Sequence, residues 1–153
     1  MEIERKFLIT EKIDVSSLEY DDIVQGYISL EPEVRARKKR EKYYLTSKSQ
    51  GNLVRDEREK EISAEEYNLL MQDRNGGIVE KRRYYMPYGK HTIEIDKYCS
   101  HLSGLVVAEV EFDSENEASA FVPPRWFGTE VTCDKRFKNK NLAQATEIPQ
   151  ITE

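Results

Sequence analysis

Like charges recur at every second position through much of this chain. Glu2/Glu4, Arg35/Arg37, Glu57/Glu59, Lys81/Arg83, Glu94/Asp96 and Glu109/Glu111 each stand two residues apart. On a strand, residues so spaced share one face and lie about 7 Å apart. Like charges at that distance repel mildly unless something of opposite sign sits between them. A solvated sheet face is the plain alternative, but such a face mixes Ser, Thr, Asn and Gln among its charges. Sorting by sign points instead to an enclosed charged surface that holds a ligand. Rows of Arg and Lys suit a polyanion with several phosphates, each accepting charge-assisted hydrogen bonds. Rows of carboxylates suit a hard divalent cation such as Mg²⁺ or Mn²⁺, which takes oxygen ligands. A polyphosphate bound with its metal uses both.

The elements that must position these residues are strands. Period-two runs cover Glu2 to Ile9, Val24 to Leu30, Val34 to Lys39, Tyr43 to Lys48, Leu53 to Ile62, Ile78 to Tyr85, His91 to Tyr98 and Leu105 to Phe112. Lys39-Arg40-Glu41-Lys42 reads as a hairpin tip, Ser49-Gln50-Gly51-Asn52 as a turn, and Tyr88-Gly89-Lys90 as another turn. Two capping boxes, Ser63/Glu66 and Ser114/Glu117, open helices. Gly76-Gly77 is expected to stop the first of them. The tail from Val131 to Ala145 reads as a strand end and a short helix. Residues 1–145 are expected to form one domain and 146–153 a disordered tail.

The expected fold is mainly β: an eight-stranded antiparallel barrel, closed, with two or three helices outside. So few helices cannot cover an eight-strand sheet from its charged side, but they can cover the apolar outside of a barrel with a charged interior. Buried charge must be paired or must bind ions. The expected inward cations are Lys6, Arg35, Arg37, Lys48, Arg55, Lys81, Arg83 and Lys135. The expected inward anions are Glu2, Glu4, Glu57, Glu59, Glu94, Asp96, Glu109 and Glu111. Tyr27 is the one aromatic placed inside, near phosphate.

Composition narrows the field further. The 153 residues suit a single domain with a real core. Charged residues make up 35% and mean hydropathy is -0.76, but 10% aromatic content and periodic apolar runs argue against disorder. A net charge of -5, from 24 Lys+Arg against 29 Asp+Glu, argues against a nucleic-acid or membrane partner. MEIERKFLIT does not resemble a signal peptide. Cys99 and Cys133 lack paired spacing and fit a reducing cytoplasm. His91 and His101 have no mutual metal spacing and read as turn or surface residues.

Glu2-Ile3-Glu4-Arg5-Lys6 resembles the E-x-E-x-K signature of the CYTH family, the triphosphate tunnel metalloenzymes. It is followed in order by Gln25-Gly26-Tyr27, Arg35-Ala36-Arg37, Leu45-Thr46-Ser47-Lys48 and Arg55-Asp56-Glu57-Arg58-Glu59. Then come Glu80-Lys81-Arg82-Arg83-Tyr84, Glu94-Ile95-Asp96, Glu109-Val110-Glu111-Phe112 and Val131-Thr132-Cys133-Asp134-Lys135-Arg136-Phe137. Together they span nearly the whole chain, and it most resembles the short single-domain bacterial inorganic triphosphatases. Ser47, where the family often has an apolar residue, Phe137, where Tyr is common, and the extra charges Arg82 and Lys39 depart from the pattern.

The resemblance implies a tunnel that holds a triphosphate along its axis. It implies metal binding by Glu2, Glu4 and Glu111 with Glu109 beside them. Phosphate would be gripped by Lys6, Arg35, Arg37, Lys48, Arg55, Lys81, Arg83 and Lys135, with Tyr27 nearby. Glu57, Glu59, Glu94 and Asp96 would be supporting acids. Glu2, Glu4, Lys6, Lys81 and Arg83 would carry catalysis: hydrolysis of the terminal phosphoryl group of inorganic triphosphate with Mg²⁺ or Mn²⁺. The alternatives are an adenylate cyclase, a thiamine triphosphatase and a non-catalytic polyphosphate-binding module. The expected partner is the small-molecule substrate alone, bound by a monomer or homodimer.

Overall fold

The computed structural model describes residues 2–48 and 54–151, with Val54 and Arg55 described as backbone only. The strands are β1 (Glu2–Leu8), β2 (Glu19–Ser29), β3 (Glu33–Lys39), β4 (Lys42–Lys48), β5 (Val54–Arg55), β6 (Glu57–Ile62), β7 (Ile78–Tyr88), β8 (His91–Tyr98) and β9 (Val106–Glu111). Three helices accompany them: α1 (Ala64–Gln72), α2 (Glu115–Ala120) and α3 (Asn139–Leu142). The strands form one antiparallel sheet in the order β5-β1-β9-β8-β7-β2-β3-β4-β6, curled into a half-barrel.

Among the described residues the sheet is open at β5 and β6 and is not the closed barrel expected, and two strand bounds also differ from expectation. The run expected over 53–62 is interrupted at Asp56. Its first piece, β5, pairs with β1, and its second, β6, pairs with β4. Strand β2 starts at Glu19, five residues before the expected start. The acid-rich stretch Glu19-Tyr20-Asp21-Asp22 resembles a loop in composition, but its backbone is laddered against Tyr85, Tyr84, Arg83 and Arg82 of β7. The turn expected at 49–52 lies outside the described residues.

Both serines cap their helices as expected. Ser63 accepts a hydrogen bond from the Glu66 amide, and Ser114 accepts one from the Glu117 amide. Arg5, the charged exception on the apolar side of β1, is satisfied at the far end of α2. It donates to the carbonyls of Ala118 and Phe121 at 2.8 and 3.2 Å and pairs with Glu130 at 2.7 Å. Orphan carbonyls at a helix C-terminus are thus met by a cation, the favourable sign there.

The outer face of the sheet is apolar, as the alternation requires. Ile3, Phe7, Ile93, Ile95, Ala108 and Val110 pack under α2, Trp126 and Phe127. Ala36, Ile62 and Tyr67 form a second cluster where α1 covers β3 and β4. A third cluster lies across the end of the sheet: Tyr27, Val79, Tyr98, Val107, Val131, Phe137 and Leu142, with Ile148 packed against it.

Gly76 and Gly77 do not stop α1, which ends at Gln72 with Asp73 as its cap. They serve close packing instead. A Cβ on Gly76 would lie 2.7 Å from the Tyr27 Cβ, and one on Gly77 would overlap the Ala143 carbonyl oxygen. Gly77→Ala must push the α3 segment away from β2. Overpacking of this kind costs about 1–3 kcal/mol, so the melting temperature should fall by roughly 2–10 °C. An unchanged melt would show that the segment at Ala143 yields freely.

Candidate active site

The inner face of the curled sheet surrounds a cavity of about 220 Å³. Lys6, Arg35, Arg37, Lys39, Lys48, Lys81, Arg83 and Lys138 line it, with Glu2, Glu4, Glu33, Glu57, Glu59, Glu94, Glu109, Glu111 and Asp134. Tyr27, Val131 and Phe137 from the third cluster form its apolar floor. Strand parity explains the set, because alternate residues of β1, β3, β7 and β9 all turn inward.

Opposite charges meet across strands, and this is what makes the arrangement tolerable. Arg83 grips Asp96 through two hydrogen bonds of 2.7 and 2.9 Å and lies 3.3 Å from both Glu94 and Glu109. Lys81 pairs with Asp96 at 2.8 Å. Lys6 pairs with Glu109 at 3.3 Å and also donates to the Phe137 carbonyl. Lys48 pairs with Glu2 at 3.0 Å and Arg37 with Glu59 at 3.2 Å, while Arg35 lies 3.9 Å from Glu57.

These pairings sort the residues by what they have left to offer. Burial pushes Asp96 and Glu109 up, but the cations around them win and hold both below the usual carboxylate range. Glu109 is paired with Lys6 and Arg83, and it is not among the three carboxylates that converge most closely. Burial lowers Lys81 to about 8, with Arg83 adding to the effect and Asp96 opposing it. The Nε atoms of Arg35 and Arg37 are buried and have no hydrogen-bond partner among the described residues. A buried unsatisfied donor on a guanidinium costs on the order of 1–3 kcal/mol or more, and an anion in the cavity would satisfy both.

Glu2, Glu4 and Glu111 converge, each offering a carboxylate oxygen within 4.8 Å of the others. Burial raises Glu4 to about 7, helped by the charges of Glu109 and Glu2. Glu111 is raised to about 7 by burial and then by Glu94, Glu2 and Glu4. Glu2 is raised as well, first by burial. Lys6 is committed to Glu109 and Lys48 to Glu2, which leaves Glu4 and Glu111 without an ion pair among the described residues. Three converging carboxylates of which two lack a cation partner are a donor set for a hard divalent cation.

The sequence-derived residues are thus largely brought together. Lys6, Arg35, Arg37, Lys48, Lys81, Arg83 and Tyr27 line the cavity, as do Glu57, Glu59 and Glu94. Asp96, fully buried behind Arg83 and Lys81, supports them. Tyr27 sits in the floor, its hydroxyl accepting from Gln25 at 2.8 Å, and burial pushes it to about 12. Lys135 is exposed on a 3₁₀ turn (Lys135–Phe137) and does not line the cavity; Lys138, three residues on, does. The Arg55 side chain lies outside the description. Glu33, Lys39 and Asp21 were missed as site residues. Asp21 was legible only as the first of four alternate positions, with Ile23, Gln25 and Tyr27, on one face of β2.

No family model matches the chain. Two curated relatives cover nearly all of it. An inorganic triphosphatase of Nitrosomonas europaea is 44% identical over 147 residues, 93% of this chain and 96% of the relative. An inorganic triphosphatase of Acetivibrio thermocellus is 35% identical over 147 residues, 94% of this chain and 93% of the relative. A crystal structure of an inorganic triphosphatase superposes with a TM-score of 0.71 at 40% identity, covering 98% of this chain and 97% of that one.

Proposed function

The chain belongs to the inorganic triphosphatases of the CYTH family, and from that premise we propose that it hydrolyses the terminal phosphoryl group of inorganic triphosphate inside the charged cavity. The observation that carries this reading is that Arg35 and Arg37, each with an unsatisfied guanidinium donor, line the same cavity as the converging carboxylates Glu2, Glu4 and Glu111. One feature calls for a polyanion and the other for a metal.

Arg35 and Arg37 bind and orient the phosphates through their free Nε–H groups, and Lys6, Lys48, Lys81 and Arg83 add positive field. Asp96 and Glu109 hold Lys81, Arg83 and Lys6 in place, so little reorganisation accompanies the reaction. Tyr27, Val131 and Phe137 exclude water from the floor. The proposed attacking group is water in an in-line displacement; the cavity lining offers no Ser, Cys or His nucleophile among the described residues. Mg²⁺ or Mn²⁺ held by Glu2, Glu4 and Glu111 supplies Lewis acidity toward the terminal phosphoryl oxygens when bound. The pairing of β5 with β1 and of β6 with β4, one residue apart in the chain, supports closure of the sheet into a full tunnel. Two free cysteines, both exposed, support a reducing cytoplasm.

The test is phosphate release from inorganic triphosphate, pyrophosphate, ATP and thiamine triphosphate, with Mg²⁺, with Mn²⁺ and with excess EDTA. Triphosphate should be cleaved fastest, and EDTA should abolish release. Equal release from all four, or release undiminished by EDTA, would overturn the reading. A thermal melt adds a binding readout. With Ca²⁺ to suppress turnover, triphosphate at 100 times its Kd should add about 2.7 kcal/mol, a rise on the order of 5–10 °C. Orthophosphate at equal concentration should do much less.

A further inference from the structure

The row of inward cations on β3 does not end at Arg37. Lys39, two residues on, also lines the cavity. Arg35 sits at the end of β3 beside Glu57 and within the field of Glu2. Lys39 lies at the other end, about 13 Å further along the strand. A linear anion with one end at the carboxylate cluster and its length along Arg35 and Arg37 therefore directs its other end at Lys39.

Lys39 is held there by a clasp. Asp21 of β2, only 3% exposed, lies 3.9 Å from the Lys39 Nζ. Its carboxylate also accepts hydrogen bonds from the Tyr85 hydroxyl, at 2.6 Å, and from the Arg40 Nε. The Lys39 Nζ lies 5.7 Å from the centre of the Tyr85 ring. Arg40 has φ of +57°, a left-handed conformation at the hairpin tip. Its ion pair with Asp21 links that tip to β2. Burial and then the neighbouring Arg37 lower the Lys39 pKa, so an arriving anion relieves repulsion.

We propose that Lys39, positioned by Asp21 and Tyr85, is a specificity-determining residue that reads the second, unesterified end of inorganic triphosphate. This rests on the reading of the cavity as a triphosphate site. The chemistry that discriminates is charge. Both ends of inorganic triphosphate are terminal phosphoryl groups, whereas in an ester of triphosphate one end bears an organic group and carries less negative charge. A cation placed at that end favours the unesterified anion. Lys39 is the group in direct contact, and Asp21 acts through it.

The experiment is calorimetric titration with inorganic triphosphate and with methyl triphosphate, both with Ca²⁺. The proteins are wild type, Lys39→Gln, Asp21→Asn and the double variant. Wild type should prefer inorganic triphosphate by roughly tenfold, equivalent to about 1.4 kcal/mol. Lys39→Gln should remove most of that preference by weakening inorganic triphosphate alone. Asp21→Asn should reduce the preference too, and the double variant should go no further than Lys39→Gln. A purely structural role for Asp21 would lower the melting temperature and leave the preference intact, which would overturn its assignment. Equal affinity of wild type for the two ligands, or a Lys39→Gln protein that keeps the preference, would overturn the proposal while leaving the triphosphate reading standing. If wild type binds neither ligand, the triphosphate reading fails and this inference fails with it.

Discussion

Glu4→Gln should lower triphosphate hydrolysis by at least ~100-fold, the scale expected if Glu4 holds a metal, while the metal-free protein should become more heat-stable. The two effects have one cause. Glu2, Glu4 and Glu111 crowd three acidic groups into a space with little positive charge of its own. Gln keeps the shape of Glu4 and removes one charge, so it removes both a ligand and a source of repulsion. The fold raises Glu4 from 4.5 to about 7, so the folded state favours the protonated form. Its contribution to stability is fully present below about pH 4.5 and is lost as pH rises to about 7. Metal-free wild type should therefore lose stability over that window more steeply than the variant. Melts from pH 4 to 8 in EDTA, beside assays with Mg²⁺ and Mn²⁺, check both halves. A variant that keeps wild-type activity removes Glu4 from the metal site.

Arg83→Ala and Arg37→Ala should fail in opposite ways. Arg83 is the hub of a buried network, facing Asp96, Glu94 and Glu109 at once. Truncating it strands buried carboxylates, a loss on the order of 3–5 kcal/mol, and the melting temperature should fall by roughly 6–20 °C. Arg37 has one ion-pair partner among the described residues, the half-exposed Glu59, and a buried Nε with none. Its loss should leave the melt near wild type but remove a charge-assisted contact worth about 1.5–3 kcal/mol. That corresponds to a roughly 10- to 100-fold rise in KM for triphosphate. Melting curves and steady-state kinetics on both variants decide the matter. An Arg37→Ala protein with normal KM would place the phosphates elsewhere in the cavity.

The contrast between these arginines marks where sequence reasoning runs out. Parity along a strand is a local property, so the inward direction of Arg35, Arg37, Lys81 and Arg83 is readable from alternation alone. Partnership is not local. Whether Glu109 faces a metal or a lysine depends on the register of β9 against β1, which sets Lys6 opposite it. Asp21 was hidden for the same reason: acids at a strand start resemble a loop until β7 is laid alongside them. Lys135 opens a 3₁₀ turn and is exposed while Lys138, just past the turn, lines the cavity, so the alternation of a strand does not extend into this tail. Both capping boxes were readable because such a motif is complete within four residues.

Strand β1 carries Glu2 and Glu4, and apart from the short β5 its partners, β9 and Glu130, lie far along the chain. It ladders with β9, and the Val131 amide donates to the Lys6 carbonyl at 2.8 Å. Arg5 and Glu130 are 125 positions apart in the chain. Contacts of such long range form late in folding, because loop-closure entropy must be overcome first. The carboxylate triad therefore exists only once β9 is laddered against β1, which sets Glu111 opposite Glu4. A cation that binds this triad acts after the rate-limiting step. It should slow unfolding and leave the refolding rate almost untouched.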